Sequence, residues 1–116
     1  PWTINSLAAL AGEIMFTDAD YIRRTRELTA SERERIYQEL SSWDSLKVYR
    51  PTANFILARI EKEGATADSL FEHAIRQGLM IRNCSTFPFL DNRYFRFCFM
   101  LPEQNTALLK CLKELL

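Results

Sequence analysis

Glycine is scarce in this chain, with three in 116 residues. That leaves little material for a phosphate-cradling loop, and neither G-x-G-x-x-G nor G-x-x-x-x-G-K occurs. Histidine is scarcer still. His73 stands alone beside three cysteines, Cys84, Cys98 and Cys111, none of which forms a C-x-x-C pair. This set argues against a zinc site and against a disulfide framework; reduced thiols in a cytoplasmic protein are expected instead. An excess of one charge is also lacking, since 15 Lys and Arg balance 15 Asp and Glu. The balance argues against a general nucleic-acid surface or a polybasic membrane patch. No apolar run approaches the roughly 20 residues of a membrane span. The longest nearly uncharged stretches, Ile4–Met15 and Asn83–Leu90, are short and broken by polar residues. No basic n-region opens the chain, so no secretory signal is expected. Pro1-Trp2-Thr3 without an initiator methionine suggests a processed product or an excised fragment.

What is present reads as one globular domain: 47% hydrophobic and 26% charged residues at a single-domain length. Asn5 or Ser6 can cap a short helix through Met15, with Leu7, Leu10, Ala11 and Ile14 on one face. Thr17 and Asp20 have capping-box-like spacing for a second helical segment running to about Ser41. Tyr21, Ile22, Leu28, Ile36, Leu40 and Trp43 trace its apolar stripe. Arg23, Arg24, Arg26, Glu27, Glu32, Arg33 and Glu34 lie on the other face, where mixed signs read as i,i+4 pairs in water. The two segments form either one long amphipathic helix or two helices with a bend near residue 17. Strands are predicted at Leu46–Tyr49 and Ala53–Ile60, with Asn54, Ile56, Ala58 and Ile60 facing opposite to Phe55, Leu57 and Arg59. Thr66 can cap a helix that Gly78 stops. Strands follow at Leu79–Arg82 and Arg93–Met100, the second with a buried row of Phe95, Phe97 and Phe99. Pro102 suits the first turn of a closing helix that buries Leu108, Leu109, Leu112 and Leu115. The pattern predicts an α+β two-layer sandwich, a small and mainly antiparallel sheet with helices on one side, preceded by a long amphipathic helix.

Residues alone leave the function open. The ordered series Pro51-Thr52-Ala53-Asn54-Phe55-Ile56-Leu57, then Gly78 to Ser85 (Gly-Leu-Met-Ile-Arg-Asn-Cys-Ser), then Asn92-Arg93-Tyr94-Phe95-Arg96, then Pro102-Glu103-Gln104-Asn105, is sharper. It resembles the C-terminal small domain of fold-type I, pyridoxal-phosphate-dependent aminotransferases. The nearest branches are L-threonine-O-3-phosphate decarboxylase of cobalamin biosynthesis and histidinol-phosphate aminotransferase. Ile81 to Pro88 and Tyr94-Phe95-Arg96 look more like the decarboxylase. Pro1 to Ala8 is similar to the family's segment leading into its interdomain helix, so the resemblance covers essentially the whole chain. It implies residues 1–42 as an interdomain helical segment and 43–116 as the α+β core of one small domain.

The resemblance also implies what lies elsewhere. Family members anchor the cofactor through a lysine of a large N-terminal domain, as a Schiff base that makes pyridoxal phosphate an electron sink. Lys47, Lys62, Lys110 and Lys113 do not stand in the family's Ser-x-x-Lys context. The chain alone is therefore expected to fold but to bind no cofactor and to be inactive. Its partners are expected to be the missing large domain and a small phosphorylated amino acid, with a homodimeric parent.

Arg96 matches the family's arginine that forks onto the substrate α-carboxylate, two parallel N–H donors fixing orientation as well as charge. Orientation decides which bond at Cα stands perpendicular to the cofactor ring, and so decarboxylation or transamination. Without the resemblance, Arg96 reads as paired with a carboxylate of the domain or as exposed on the strand. Arg82, at a strand end, is a candidate for the substrate phosphate or carboxylate. Asn54 is a candidate for steering a substrate group, and Arg93 is a weaker, exposed one. Trp2 and Asn5 are expected near the interdomain cleft. His73 reads as a solvated helix residue, and Cys84 as structural despite its arginine neighbour. The competing function is a free-standing module in which Arg82 and Arg96 bind an amino-acid or phosphate effector.

Overall fold

The computed structural model describes residues 3–116. Helix α1 spans Ser6–Thr17, and Asn5 caps it by accepting from the Ala8 N–H at 2.9 Å. Helix α2 spans Ala19–Ser41. The break falls where the sequence predicts it, but the cap differs. Thr17 closes α1 with its hydroxyl donating back to the Ile14 carbonyl, while Asp18 accepts from the Tyr21 N–H. The Thr17/Asp20 box does not form, because Thr17 is satisfied in its own helix.

Strand β1 is Leu46–Tyr49 and β2 is Phe55–Ile60. Helix α3 is Ala67–Arg76, β3 is Arg82–Asn83, β4 is Tyr94–Cys98 and α4 is Pro102–Lys113. Thr66 and Ser69 cap each other reciprocally at the start of α3. Gly78 ends the helix at φ +73°, a conformation a side chain would strain. Three strands are shorter or shifted relative to the sequence pattern. Leu79 still donates to Ala74 in the exit of α3, so β3 cannot begin before Arg82. Asn54 lies outside β2 and closes the pair only through its carbonyl, which accepts from the Phe99 N–H at 2.9 Å. Phe99 lies beyond β4 and is half-buried.

The sheet order is β1-β2-β4-β3, with every neighbouring pair antiparallel. Helix α3 carries the chain from β2 across to β3, and β4 then inserts between them. Period-two alternation gives the sheet two unlike faces. Ile56, Ala58, Ile60, Phe95 and Phe97 point inward against Ile36 and Leu40 of α2, Leu70 of α3 and Leu108, Leu109 and Leu112 of α4. Phe55, Leu57, Arg59, Tyr94 and Arg96 point outward and stay half-buried. The α+β sandwich with helices on one side is therefore what the chain adopts.

One residue overturns its expected face. Glu32, assigned to the polar side of α2, is buried at 4% exposure. Its i,i+4,i+8 spacing with Ile36 and Leu40 puts it on the core stripe. It is buried because it is partnered. Arg35 grips it with two hydrogen bonds of 2.9 and 2.6 Å, and the fully buried Asn105 amide donates to it at 2.7 Å. Asn105 also donates to the Met100 carbonyl and accepts from the Met100 N–H. Outside this stripe the mixed-charge face of α2 behaves as expected, with Arg23 and Arg24 pairing to Asp20 and Arg23 to Glu27.

Asn105→Ala should lower stability by about 1–3 kcal/mol, since it strips a donor from a buried carboxylate and leaves Met100 unpartnered. The measurement is a lower urea midpoint at unchanged slope. The Arg35 bonds, aided by Asn105, hold the Glu32 carboxyl below its ordinary value against the burial that would raise it. The folded value thus lies below the unfolded one. The stabilisation is complete above the unfolded carboxylate value, and it is lost as pH falls through the folded one. Glu32→Gln should accordingly flatten the acid limb of the stability curve; a limb as steep as the parent's would contradict this.

Candidate functional site

The outer face of the sheet brings two arginines together. Arg82 of β3 and Arg96 of β4 are direct antiparallel partners, so their side chains leave the same face. Like charges placed opposite each other repel. No carboxylate among the described residues lies within ion-pair distance of either, as is also so for Arg26, Arg33 and Arg76, whereas Arg23, Arg24, Arg35, Arg50, Arg59 and Arg93 each have one. Aromatic rings take the place of carboxylates. The Arg96 guanidinium lies 5.0 Å from the Phe55 ring centre and 5.1 Å from that of Phe87. The Arg82 guanidinium lies 5.7 Å from the same Phe87 ring. A ring face attracts a cation yet accepts no strong hydrogen bond, so the N–H donors stay free for an anion. The internal ion pair that residue type alone suggested for Arg96 is not formed.

The chain around β3 is fixed by side-chain bonds. Asn83 donates to Asp68 of α3 at 2.7 Å and accepts from the Ser85 N–H at 2.9 Å. The Phe87 N–H donates to the Cys84 carbonyl, turning the loop back so that Phe87 meets the two arginines. Phe89 follows at φ +67°, unusual for a bulky residue, with its side chain fully exposed.

Other sequence-marked residues scatter. Asn54 is exposed beside Phe55, and its side-chain amide makes no hydrogen bond among the described residues. Arg93 is held by Asp91 at 2.8 Å and is not free. His73 is tied into a small cluster rather than simply solvated. Its Nε2 lies 2.9 Å from Glu114 of the chain's end, and Gln77 donates to the same carboxylate. Those bonds, Gln77's first, hold the Glu114 carboxyl below its ordinary value. Cys84 is buried; burial pushes its thiol up, outweighing the pull of Arg96 and Arg82. Asn5 serves as a helix cap, and Trp2 lies outside the described residues. Among the described residues no group of three His, Cys, Asp or Glu could hold a metal, and no helix is long and apolar enough to cross a membrane.

No family model matches the chain. It is 37% identical to the threonine-phosphate decarboxylase of Salmonella typhimurium over 116 residues, all of this chain and 31% of that enzyme. It is 32% identical to the histidinol-phosphate aminotransferase of Methanothermobacter thermautotrophicus over 114 residues, 98% of this chain and 31% of that enzyme. The crystal structure of the histidinol-phosphate aminotransferase of Clostridium acetobutylicum superposes with a TM-score of 0.83 at 31% identity, covering 99% of this chain and 34% of that one. Its homologues are threonine-phosphate decarboxylases and histidinol-phosphate aminotransferases. The chain spans about a third of the length of the curated relatives it matches. The resemblance drawn from its motifs to a fold-type I enzyme domain therefore holds.

On the outer face, sequence reasoning missed the two rings. Alternation placed Phe55 opposite Ile56 without saying which face is outer, and the register Leu57↔Arg96 sets it diagonal to Arg96. Phe87 had no such signal, since it reaches the site through an irregular loop.

The thiols offer a direct check on burial here. Iodoacetamide on the native chain should modify Cys98, which is exposed, well before Cys84 and Cys111, which are buried with thiols pushed up. Peptide mapping reads the order, and early labelling of Cys84 would contradict the closed setting.

Proposed function

We propose that this chain is the substrate-binding small domain of a pyridoxal-phosphate-dependent L-threonine-O-3-phosphate decarboxylase of cobalamin biosynthesis. The observation that carries it is the Arg82–Arg96 pair, free of carboxylate partners and held on aromatic rings, in a domain with these homologues. Phosphothreonine carries two anionic groups, an α-carboxylate and a phosphate. Arg96 takes the carboxylate through its paired N–H donors, and Arg82 takes the phosphate. Asn54, with its amide unengaged, steers a polar group of the substrate at the same end of β2. By fixing the carboxylate, Arg96 sets which bond at Cα is presented for cleavage.

The chain's own residues do not suit the cofactor's anchor. Lys62 donates to the Leu115 carbonyl, Lys113 lies over Trp43, Lys110 stands on α4 behind the sheet, and Lys47 sits on the edge strand farthest from β3. When bound, pyridoxal phosphate supplies an electron sink. The lysine that holds it belongs to a large domain outside these residues. Residues 1–42 form the interdomain helical segment, and the exposed apolar residues of α1 pack on that larger body. The parent is a cytoplasmic homodimer.

A second reading has its own support in the 0.83 TM-score to a histidinol-phosphate aminotransferase. Histidinol phosphate is an alcohol ester with no carboxylate, so the arginine pair would then serve the carboxylates of the amino donor. Assaying the full-length enzyme on both substrates separates the two. Carbon dioxide release from phosphothreonine is expected; amino transfer from histidinol phosphate without it would replace the first reading by the second.

In the full-length enzyme Arg96→Ala should leave cofactor absorbance and melting temperature near the parent's. It should lower kcat/KM by about 30- to 1000-fold, on the order of 2–4 kcal/mol. Arg96→Lys should recover only part, keeping the charge but not the fork. A loss of stability with near-normal turnover in the folded fraction would refute the carboxylate role. Borohydride reduction of the loaded enzyme should trap the cofactor on a lysine outside these 116 residues; a stoichiometric adduct on one of the four lysines here would overturn that assignment.

A further inference from the structure

Two guanidiniums that are direct cross-strand partners should repel, and a strand pair only two residues long on the β3 side offers little backbone constraint to hold them. Neither has a carboxylate to neutralise it. What they share is one ring. Phe87 lies within 5.1 Å of the Arg96 guanidinium and 5.7 Å of that of Arg82, both inside the range of cation–π attraction. Phe55 serves Arg96 alone. Phe87 is half-buried and comes from neither strand; the turn closed by its N–H to the Cys84 carbonyl brings it there. A carboxylate in its place would consume the donors an anionic substrate needs. An aliphatic side chain would pack but offer no negative face. A ring does both jobs, holding the cations and leaving their in-plane N–H groups open.

We propose that Phe87 is a positioning residue for substrate binding, the shared aromatic bracket that sets the spacing of the Arg82 and Arg96 guanidiniums and so selects substrates with two anionic groups at a fixed separation. This rests on the reading of the arginine pair given above. It acts through the arginines and does not itself contact the reacting atoms.

The test is a mutant cycle in the full-length, cofactor-loaded enzyme with L-threonine O-3-phosphate. Phe87→Leu should raise KM about 5- to 30-fold, with kcat changing less than threefold and cofactor absorbance and melting temperature near the parent's. Phe87→Tyr and Phe87→Trp, which keep a ring, should stay within about threefold of the parent. In an Arg96→Ala background Phe87→Leu should cost less than it does on the parent, because one of the two groups it positions is gone; a packing role would add in full on both backgrounds. Should Phe87→Leu fail to fold, Phe87→Met takes its place in the cycle. Parent-like KM in the aliphatic variant, or full additivity with Arg96→Ala, overturns the role of Phe87 alone. If Arg82→Ala and Arg96→Ala themselves keep parent-like kcat/KM, the reading of the arginine pair falls and the role of Phe87 falls with it.

Discussion

The hydrogen bond from Asn105 to Glu32 spans 73 positions of sequence and joins two helices through the core. A carboxylate this deep is tolerated only because three hydrogen bonds meet it, two from Arg35 and one from Asn105. Such a group costs more to leave half-satisfied than it gains when complete, so its geometry is all or nothing. The consequence is positional. Asn105 grips both backbone groups of Met100, just past the end of β4, and Glu32 grips Asn105 from α2. Helix α2 can therefore lie on the inner face of the sheet only at the height that brings Ile36 and Leu40 into the apolar cluster. The strand that carries Arg96 is held at its far end by the same bonds.

With the inner face committed to packing, the outer face is free for chemistry. Each large apolar residue buried inward contributes about 1.5–3 kcal/mol, and the inward row from Ile56 to Phe97 sits against three helices. The alternating residues of the same strands therefore need not pack tightly to keep the sheet. Arg96 occupies one of these positions, flanked in sequence by the buried Phe95 and Phe97 and directed away from them. An anion between Arg82 and Arg96 would remove the repulsion that their pairing creates. Anion binding there would therefore also stabilise the strand pair.

Periodicity made most of the fold legible. The inward rows of β2 and β4, the Thr66 start and Gly78 stop of α3, and Pro102 at the head of α4 follow from alternation, capping and backbone restriction, all local effects. Failures came where distant residues decide. Glu32 looked like one more charge on a charged helix, because nothing near it in sequence announces Asn105. His73 looked solvated because Glu114 lies 41 positions away. Strand ends shifted by one to three residues, the larger shifts falling where an exiting helix or a single carbonyl set the boundary. At the candidate site the arginines were legible through motif resemblance and the rings were not, since Phe87 depends on loop geometry and Phe55 on cross-strand register.

The two least self-sufficient features of the domain differ in kind. Helix α1 buries none of its residues, and Ile4, Leu7, Leu10, Ile14 and Phe16 stand exposed along it or next to it. A helix of 12 residues is marginal by itself in water, and two local caps supply only part of the difference. Its apolar surface asks for another apolar surface. Arg96 asks for negative charge instead. Exposed arginines such as Arg26 need nothing, because water solvates them, but Arg96 is half-buried and has given up part of that water without gaining a carboxylate. A packing demand at one end and a charge demand on the sheet are the two needs that this domain does not meet with its own described residues. The curated relatives are about three times its length, so each carries a further two thirds of chain beyond the part that matches this domain.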